Sequence, residues 1–387
     1  MEWQMLRAEF PALVDGNYLN TGGGGLVPAG VARAAGERLA RYYSLEMPVH
    51  QRDLAMRQEF EAARATVAQV LGTSLERVAF SESTADATKA VLYNLGWQTG
   101  DKVAYLSSEH FALTIQLRFL ARLYGLELVE IPNEVGAVAP EQVARYLTPT
   151  VRLLCVSHVA YATGALQPIA EIVAVAHRLG VPVLVDGAQG LGATAFSVEQ
   201  SGCDFYTFPG QKWLLGPEGV GGIYVSASGQ ELLRPRVIGI PSCRSFKMDG
   251  QYELHTNARL LELNKVNPVH YTALADSIRW VNSIGRDWTL RRIVELCQRL
   301  QDGLREIPGV RVITPRSTAE SAGLVCAYLD WPEGEKLATV LWEQEKIAIR
   351  QYRSPVGFRV SPHFYNNEDD VDHFLRAMRR LAPGTGN

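Results

Sequence analysis

The stretch VRLLCVSHVAYATGALQPIAEIVAVAHRLGVPVLVDGAQ, residues 151–189, decides the fold class of this chain. Residues 151–156 and 182–185 are short apolar runs typical of buried strands, and residues 168–179 have the apolar spacing of a helix. Pro168 suits the first helical position, and Gly180 suits the position after the last turn. A strand, a helix and a strand in this order predict a parallel α/β sheet with right-handed crossovers.

Segments on the amino-terminal side of this unit extend the same alternation. Residues 78–80, 102–106 and 126–131 have the composition of short strands, and helical spacing covers 84–94 and 111–124. Repeated alternation of strands and helices is typical of a doubly wound α/β domain.

The carboxyl-terminal third has a different pattern. Residues 229–268 are irregular and polar, residues 270–308 are largely helical, and short strands then alternate with helices. We interpret this part as a smaller α+β domain that closes on the first. The sequence therefore predicts a large domain at 16–255 and a small domain formed by 1–15 together with 256–387.

Composition argues against several functional classes. The chain has 387 residues and a net charge of −3, so it lacks the basic excess that nucleic acids and anionic membranes require. Its first ten residues, MEWQMLRAEF, do not form a secretory signal, and no apolar run is long enough to span a membrane. The five cysteines are widely spaced without a C-x-x-C pair, which predicts reduced thiols in a cytoplasmic protein.

Common motifs of other enzyme classes are missing from the sequence. It contains neither G-x-x-x-x-G-K-[ST] nor G-x-G-x-x-G after a strand, which argues against a P-loop and a nicotinamide site. It also lacks H-E-x-x-H and G-x-S-x-G, which argues against a zincin-like site and a serine hydrolase. We expect no metal site.

Two side chains in the central region are candidates for chemistry. Asp186 follows a predicted strand, where ligands of open α/β sheets bind, and its carboxylate is able to hold a cationic ring nitrogen. A plain helix cap or loop aspartate is an equally good reading. Lys212 lies in FPGQKWLLGP, an apolar turn in which desolvation lowers the pKa of an amine and favours Schiff-base chemistry. The alternative is a lysine whose stem covers the aromatic residues while its head stays in water.

Three further groups have both a functional and an ordinary interpretation. Ser83 and Thr84 precede a helix and predict either an anion site or a simple helix cap. His110, after a strand, is suited to stack on an aromatic ring or donate a proton, although many loop histidines do neither. Arg350 and Arg359 lie around two predicted strands, where they either bind a carboxylate in bidentate fashion or remain solvated surface charge.

Taken in order, these segments resemble the class V aminotransferases, a family that includes cysteine desulfurases, cystine C–S lyases and isopenicillin-N-epimerase-like proteins. The resemblance covers nearly the whole chain, and the VDGAQ and GQKW blocks are its most specific parts. The segments that carry it are YLNTG at 18–22, SESTADAT at 81–88, EH at 109–110, SHV at 157–159, TG at 163–164, VDGAQ at 185–189, GQKW at 210–213, GPEGVG at 216–221, RVS at 359–361 and YNN at 365–367.

The resemblance implies the fold and the cofactor. The fold is that of PLP-dependent transferases of fold type I, which are aspartate aminotransferase-like. They have a mostly parallel seven-stranded sheet in the large domain and a smaller α+β carboxyl-terminal domain. The cofactor is pyridoxal 5′-phosphate (PLP), and the family is usually a homodimer with its sites near the subunit interface.

The resemblance also implies a role for each residue that meets the cofactor ring. Lys212 forms the Schiff base with PLP, and Asp186 pairs with the protonated ring nitrogen. Gln189 hydrogen-bonds the ring hydroxyl oxygen, and His110 stacks on the ring face. Lys212, Asp186 and His110 are therefore the expected catalytic residues.

The phosphate and substrate ends follow from the same resemblance. Ser83 and Thr84 hold the phosphate together with the helix that follows them. Arg359 binds the substrate α-carboxylate, with Arg350 as a second contact. Asn20 and Tyr161 are expected on the substrate side.

This chain departs from the family pattern near the phosphate and the substrate. The hydroxyl residue three positions before the lysine is Pro209, and the usual histidine before the lysine is Gln211. Lys265 occupies a position where the family places a phosphate-binding residue of the second subunit, so we hypothesise that its ammonium replaces the lost hydroxyl contacts. Tyr161 stands where desulfurases commonly have an asparagine.

The expected reaction depends on a missing thiol. Desulfurases carry a nucleophilic cysteine shortly before the carboxylate arginine, but residues 350–358 contain none. This favours a lyase that catalyses β-elimination from cysteine, cystine or a cysteine conjugate and releases pyruvate, ammonia and a sulfur product. A class V aminotransferase or an epimerase uses the same apparatus, and a non-catalytic PLP-fold binding protein is the alternative of another class.

Overall fold

The computed structural model describes residues 3–44, 46–133, 135–332, 334–353 and 355–383. Residues 1–2 and 384–387, which the sequence places in the small domain, lie outside the described residues. The α-helices of the described residues are α1 Trp3–Ala8, α2 Ala29–Tyr42, α3 Val49–Leu71, α4 Thr84–Tyr93, α5 Phe111–Tyr124, α6 Pro140–Ala144, α7 Ile169–Arg178, α8 Val198–Ser201, α9 Ala227–Leu232, α10 Pro268–Ile284, α11 Arg286–Arg305, α12 Leu337–Glu345 and α13 Glu368–Leu381.

The strands of the described residues form a large sheet, a small sheet and two strand pairs. They are β1 Asn17–Tyr18, β2 Val78–Ser81, β3 Lys102–Leu106, β4 Glu127–Ile131, β5 Val151–Ser157, β6 Val183–Asp186, β7 Phe205–Pro209, β8 Gly221–Val225, β9 Cys243–Phe246, β10 Tyr252–Leu254, β11 Val310–Val312, β12 Val325–Leu329, β13 Ile347–Ala348, β14 Arg350–Arg353 and β15 Val356–Val360.

The large sheet has seven strands in the order β2-β8-β7-β6-β5-β3-β4. Strands β3 to β7 pair in parallel, whereas β8 runs antiparallel to β2 and β7. The unit at 151–189 forms β5, α7 and β6 in the predicted order. The sheet is therefore mostly parallel, as the sequence predicts.

Helices cover both faces of the large sheet. Val183 and Val185 of β6 pack in one cluster with α3, α7 and α10, whereas Leu184 packs in another cluster with α4 and α5. Successive side chains of a strand point to opposite faces, so a strand buried on both faces needs a nearly continuous apolar run. This double burial explains why residues 151–156 and 183–185 lack the apolar–polar alternation of a half-exposed strand.

The small sheet is antiparallel, in the order β11-β12-β15-β14. One face packs against α11 and α13 through alternating apolar residues such as Phe358 and Val360. Arg359 lies between these two residues, so the alternation places it on the opposite face. Tyr352 of β14 contacts the large domain, because its hydroxyl donates a hydrogen bond to the Tyr161 carbonyl 3.0 Å away. The sheet therefore presents Arg359 to the large domain.

A two-domain division remains our proposal, with a later boundary than residue 255. Helix α10 shares the core of the large sheet through Tyr271 and Leu274, and Leu260 packs with the other face of that sheet. Strand β1 pairs instead with β13 of the small domain. We therefore place the boundary near Gly285, where α10 ends and α11 begins.

Candidate active site

A cavity of about 170 Å³ lies at the carboxyl end of the parallel strands. Its walls come from the end of β5, the end of β6, the loop after β7, the start of α4 and the start of α5. The lining residues are Ser83, Thr84, Ala85, Thr88, His110, Ala112, Leu113, Gln116, Ser157, Val159, Tyr161, Asp186, Ala188, Gln189, Pro209, Gln211 and Lys212. Seven of the predicted site residues (Ser83, Thr84, His110, Tyr161, Asp186, Gln189 and Lys212) therefore share one cavity.

The loop after β7 holds Lys212 in a tight turn. The Leu215 amide donates to the Lys212 carbonyl at 3.1 Å, and Leu215 adopts a left-handed backbone with φ of 57°. Gly25 packs on the same carbonyl so closely that a Cβ there would lie 2.2 Å from the oxygen. The Gly25 amide also donates to the Gln211 carbonyl at 2.7 Å. The glycine-rich amino-terminal segment is therefore docked against the lysine loop, which requires glycine at position 25.

The environment of Lys212 makes its amine a weaker base than an ordinary lysine. Burial lowers its pKa to about 8, the Asp186 carboxylate opposes this shift, and the Arg359 cation adds to it. A lower pKa leaves a larger fraction of neutral, nucleophilic amine near pH 7. The predicted Schiff-base chemistry of Lys212 is consistent with this environment.

Asp186 ends β6 with a buried carboxyl group. Its Oδ1 accepts a hydrogen bond from the Ala188 amide at 2.8 Å. Burial raises the pKa of Asp186, while the Ala188 hydrogen bond and the Lys212 charge oppose the rise. A carboxyl group held in this way is suited to bind a cationic N–H group that enters the cavity.

His110 caps α5 and faces the cavity as a neutral ring. Its Nδ1 accepts a hydrogen bond from the Ala112 amide at 3.1 Å, so in the neutral form the hydrogen resides on Nε2. Burial, the Lys212 charge and the Arg359 charge lower its pKa to about 4. The ring contacts Tyr161 edge to face, with centroids 4.5 Å apart.

Three lining residues carry buried polar atoms without a hydrogen-bond partner: Thr84 Oγ1, Gln116 Oε1 and Gln211 Oε1. Orphaned polar atoms are costly unless a ligand satisfies them. Thr84 is also the first residue of α4, and Ser83 caps that helix by accepting from the Asp86 amide at 3.1 Å. A polar ligand with an anionic end at this helix terminus fits the cavity, so the residues present suit PLP.

Gln116 and Gln211 were not among the predicted site residues. Gln116 lies in an ordinary amphipathic helix, and nothing in its sequence context marks it. Gln211 carried a signal, because it directly precedes the lysine in the GQKW block.

Gln189 connects the cavity to the amino-terminal segment. Its Nε2 donates to the Gly22 carbonyl at 2.9 Å, and its Oε1 accepts from Trp213 Nε1 at 3.0 Å. Both polar atoms of the amide therefore already have protein partners. The contact with a ring hydroxyl that the resemblance implies stays a prediction.

The two predicted arginines are neighbours on the small sheet. Arg350 of β14 and Arg359 of β15 are cross-strand partners, but Arg359 is buried whereas Arg350 is exposed. The Nε atom of Arg359 has no hydrogen-bond partner. Within the described part of the chain neither guanidinium forms an ion pair with a carboxylate, which leaves both available to an anionic substrate.

Asn20 and Lys265, two further predicted site residues, are not among the residues that line the Lys212 cavity. Asn20 lies in the amino-terminal segment, where it bridges to Ser361 of the small domain, and its buried Oδ1 has no partner. Lys265 is exposed and lines a separate, larger depression beside Arg259 and Phe60. The chain therefore does not bring Lys265 to its own Lys212 cavity.

Several further properties concern the described residues as a whole. None of their helices is both long and apolar enough to cross a membrane. No group of three or more His, Cys, Asp or Glu residues within them is placed to hold a metal ion. The five cysteines are free thiols.

This chain is similar to known proteins over nearly its whole length. The family model described as aminotransferase class-V matches residues 17–374. A probable cysteine desulfurase of Xylella fastidiosa is 26% identical, over 98% of this chain and 95% of that protein. Isopenicillin N epimerase of Streptomyces clavuligerus is 27% identical, over 98% of each chain.

Solved structures show the same likeness. The apo cysteine desulfurase from Thermococcus onnurineus NA1 superposes with a TM-score of 0.90 at 26% identity, covering 98% of each chain. The cystine C–S lyase C-DES, in complex with its reaction product cysteine persulfide, also gives 0.90 at 25% identity, covering 97% of this chain and 100% of that one.

The fold and the cavity define an α/β enzyme scaffold of fold type I with a lysine and an aspartate at the ends of its parallel strands. The chain belongs to the class V aminotransferase family. The family and the fold predicted from the sequence are therefore confirmed.

Proposed function

We propose that this protein is a C–S lyase that eliminates the β-sulfur of cysteine, cystine or a cysteine conjugate and releases pyruvate and ammonia. The observation that carries the proposal is a single cavity that brings Lys212, Asp186 and His110 together and has no cysteine among its lining residues. The curated and structural relatives named as desulfurases and as a C–S lyase support a sulfur amino acid as the substrate.

The enzyme is PLP-dependent, as its family and its relatives indicate. When bound, PLP supplies an electron-withdrawing ring that stabilises negative charge at the substrate Cα. In this cavity Lys212 would carry the cofactor, Asp186 would hold a proton at the ring nitrogen, and Thr84 at the start of α4 would hold the phosphate.

The residues around this position divide the work of elimination. The Arg359 guanidinium binds the substrate carboxylate and fixes the orientation of the Cα–H bond. The Lys212 amine, whose pKa of about 8 lies close to neutral pH, takes the proton from Cα. His110, which is neutral at pH 7, donates a hydrogen bond from its Nε2–H to the departing sulfur, and the Lys212 ammonium returns the proton that it took from Cα to that sulfur.

The cysteines of the chain support a lyase without an enzyme-bound persulfide. Cys326 is the cross-strand partner of Arg359, which makes it the cysteine closest to the substrate carboxylate in the sheet register. It is 1% exposed, and burial raises the pKa of its thiol to about 12. A buried neutral thiol is a poor nucleophile, so sulfur leaves as a small product.

Arg350 favours cystine within the proposed substrate class. Cystine carries a second carboxylate, and Arg350 offers a second guanidinium one strand away from Arg359. Two arginines on neighbouring strands suit two carboxylates of one substrate better than two contacts with one carboxylate, because one of them is exposed and the other is buried.

Product analysis tests the reaction. PLP-loaded enzyme is incubated with cystine, and pyruvate is measured with lactate dehydrogenase and ammonia by an independent assay. We expect equal amounts of both, and release by Lys212→Ala that is at least about 100-fold slower. Amino transfer to a keto acid without pyruvate would favour an aminotransferase, inversion at Cα would favour an epimerase, and no turnover of any amino acid would favour a binding protein.

We also propose a homodimer in which Lys265 of the partner subunit approaches the phosphate held by Thr84. Lys265 is exposed and lies outside its own chain's cavity, so contact with a cofactor requires a second copy. An ammonium near a phosphate dianion compensates for the hydroxyl group that Pro209 lacks. Lys265→Ala is expected to weaken PLP binding about tenfold without changing the sedimentation coefficient, and unchanged PLP affinity would contradict the role.

The cytoplasm is the proposed location. All five cysteines are free thiols, and reduced cysteines are typical of a reducing compartment. Cell fractionation with a compartment marker tests this, and recovery of the protein outside the cytoplasm would contradict it.

A further inference from the structure

Glu109 is a buried carboxyl group that the proposed reaction does not use. It follows the turn after β3 and is 5% exposed. Its two oxygens accept hydrogen bonds from the amide and the hydroxyl of Ser157, at 2.7 and 2.5 Å. Ser157 is the last residue of β5, it lines the cavity, and it pairs directly with Asp186 of β6. Glu109, Ser157 and Asp186 therefore form a row across the ends of three neighbouring strands.

Asp186 is the charged side chain that acts on Glu109. Asp186 lies on β6, two strands from β3, and Cys155 of β5 is a neutral thiol because burial and both carboxylates raise its pKa. The cation Lys212 acts on Asp186 but is not among the groups that act on Glu109. Two carboxyl groups in one buried site are rarely both ionised, because each charge disfavours the other.

The protonation of Glu109 is consistent with this environment. Burial raises its pKa to about 8, the two Ser157 hydrogen bonds lower it, and the Asp186 charge raises it further. Glu109 is therefore largely neutral at pH 7 and becomes an anion as the pH passes 8. Ionisation adds a second negative charge behind Asp186.

We propose that Glu109 is a positioning residue that fixes the end of β5 beside Asp186 and, when ionised, strengthens the hold of Asp186 on a proton at the cofactor ring nitrogen. The geometric basis is the pair of hydrogen bonds to Ser157 and the register of Ser157 with Asp186. The inference rests on the proposed binding of PLP in this cavity, but it does not depend on the reaction that follows.

The test is the Kd of the apoenzyme for PLP as a function of pH, compared between wild type and Glu109→Gln. The glutamine has the same shape but cannot ionise, so the ratio of the two Kd values is expected to be near 1 at pH 6.5. At pH 9 we expect weaker binding by the variant, by at least about threefold. A purely structural role predicts a ratio that is the same at both pH values, and that result would overturn the inference.

Three further variants make the result specific. Ser157→Ala removes a hydrogen bond that lowers the pKa of Glu109, so the pH at which Glu109 strengthens PLP binding should be higher in this variant. This variant also tests the inference if Glu109→Gln does not fold. In an Asp186→Asn background, adding Glu109→Gln should not change how the Kd for PLP depends on pH. Glu130→Gln removes a carboxylate outside the cavity that accepts from Tyr105 at 2.7 Å, and it should leave the ratio at 1 throughout.

Each failure has a distinct meaning. An apoenzyme that does not bind PLP at any pH contradicts the proposed function. PLP binding with a ratio that is independent of pH, or with equal pH dependence in the Asp186→Asn background, contradicts only the role of Glu109.

Discussion

Two sheets contribute charged side chains to the candidate site, and they hold them differently. At the end of the large sheet, the Asp186 carboxylate accepts from the Ala188 amide and interacts with the Lys212 charge. On the small sheet, Arg350 and Arg359 are neighbours of the same charge without a carboxylate partner among the described residues. In our proposal, the charges assigned to the cofactor are thus arranged by the protein itself, whereas the charges assigned to the substrate stay unpaired until it binds.

The strongest test of this contrast is the loss of the lysine on the large sheet. Lys212→Ala removes both the proposed base and the proposed attachment point of PLP, so we expect the rate of pyruvate release to fall by about 10²–10⁴-fold or more. Initial rates at saturating cystine measure this. Lys102→Ala, which removes a surface ion pair with Glu127, is the control and should retain the wild-type rate. Near-normal turnover by Lys212→Ala would contradict the proposed role of Lys212 and with it the contrast between the two sheets.

The two arginines of the small sheet should separate by substrate. Arg359→Gln removes a charge-assisted contact of roughly 1.5–3 kcal/mol, which lowers kcat/KM about 10–150-fold for every substrate. Arg350→Gln should lower kcat/KM for cystine but leave S-methylcysteine, which has a single carboxylate, unaffected. The exposed Arg353 of the same strand provides the control variant Arg353→Gln. If Arg350→Gln lowers kcat/KM equally for cystine and S-methylcysteine, the assignment of Arg350 to the second carboxylate is wrong.

The pH dependence of the reaction between PLP and the apoenzyme tests whether burial on the large sheet lowers the pKa of Lys212. Neutral amine is the reactive form of Lys212, so the rate of apoenzyme reaction with PLP should rise about tenfold per pH unit below 8 and level off above it. An ordinary lysine would show no plateau below pH 10.

Asp186 supplies the control for this measurement. Its charge raises the pKa of Lys212, so Asp186→Asn should move the plateau to a lower pH. Stopped-flow absorbance follows both proteins. A rate that still increases between pH 9 and 10 in the wild type would show that burial does not lower the pKa of Lys212.

The smallest effect concerns the segment that joins the two sheets. Gly25→Ala places a Cβ against the Lys212 carbonyl, and we expect a loss of about 1–3 kcal/mol in the free energy of unfolding. Gly24→Ala is a matched control, because its nearest contact is Glu218 Oε1 at an ordinary 3.5 Å, and its effect should stay within about 0.5 kcal/mol. Urea unfolding measures both, and equal stability of the two variants would contradict close docking of this segment.

Much of the large domain was predictable because its signals are local. The apolar runs of β5 and β6 and the caps of α7 determine the central unit. Helix α5 was expected at 111–124 and occurs at Phe111–Tyr124. The sequence predicts Asp186 and Lys212 as site residues because each lies in a recognisable block next to a strand, and the structure places both in one cavity.

The remaining features depend on contacts between distant segments. The pairing of β1 with β13 joins residues far apart in the sequence, and the exposed hairpin β9–β10 was expected to be irregular. The row of Glu109, Ser157 and Asp186 arises from the order of β3, β5 and β6 in the sheet, which spacing along the chain does not reveal.

Reductive trapping tests the central claim most directly. Enzyme loaded with PLP is treated with borohydride, digested, and mapped by mass spectrometry. The account predicts one modified peptide, with the reduced pyridoxyl group on Lys212, and its disappearance in Lys212→Ala. Modification of another lysine, or no stable modification despite bound PLP, would contradict the account.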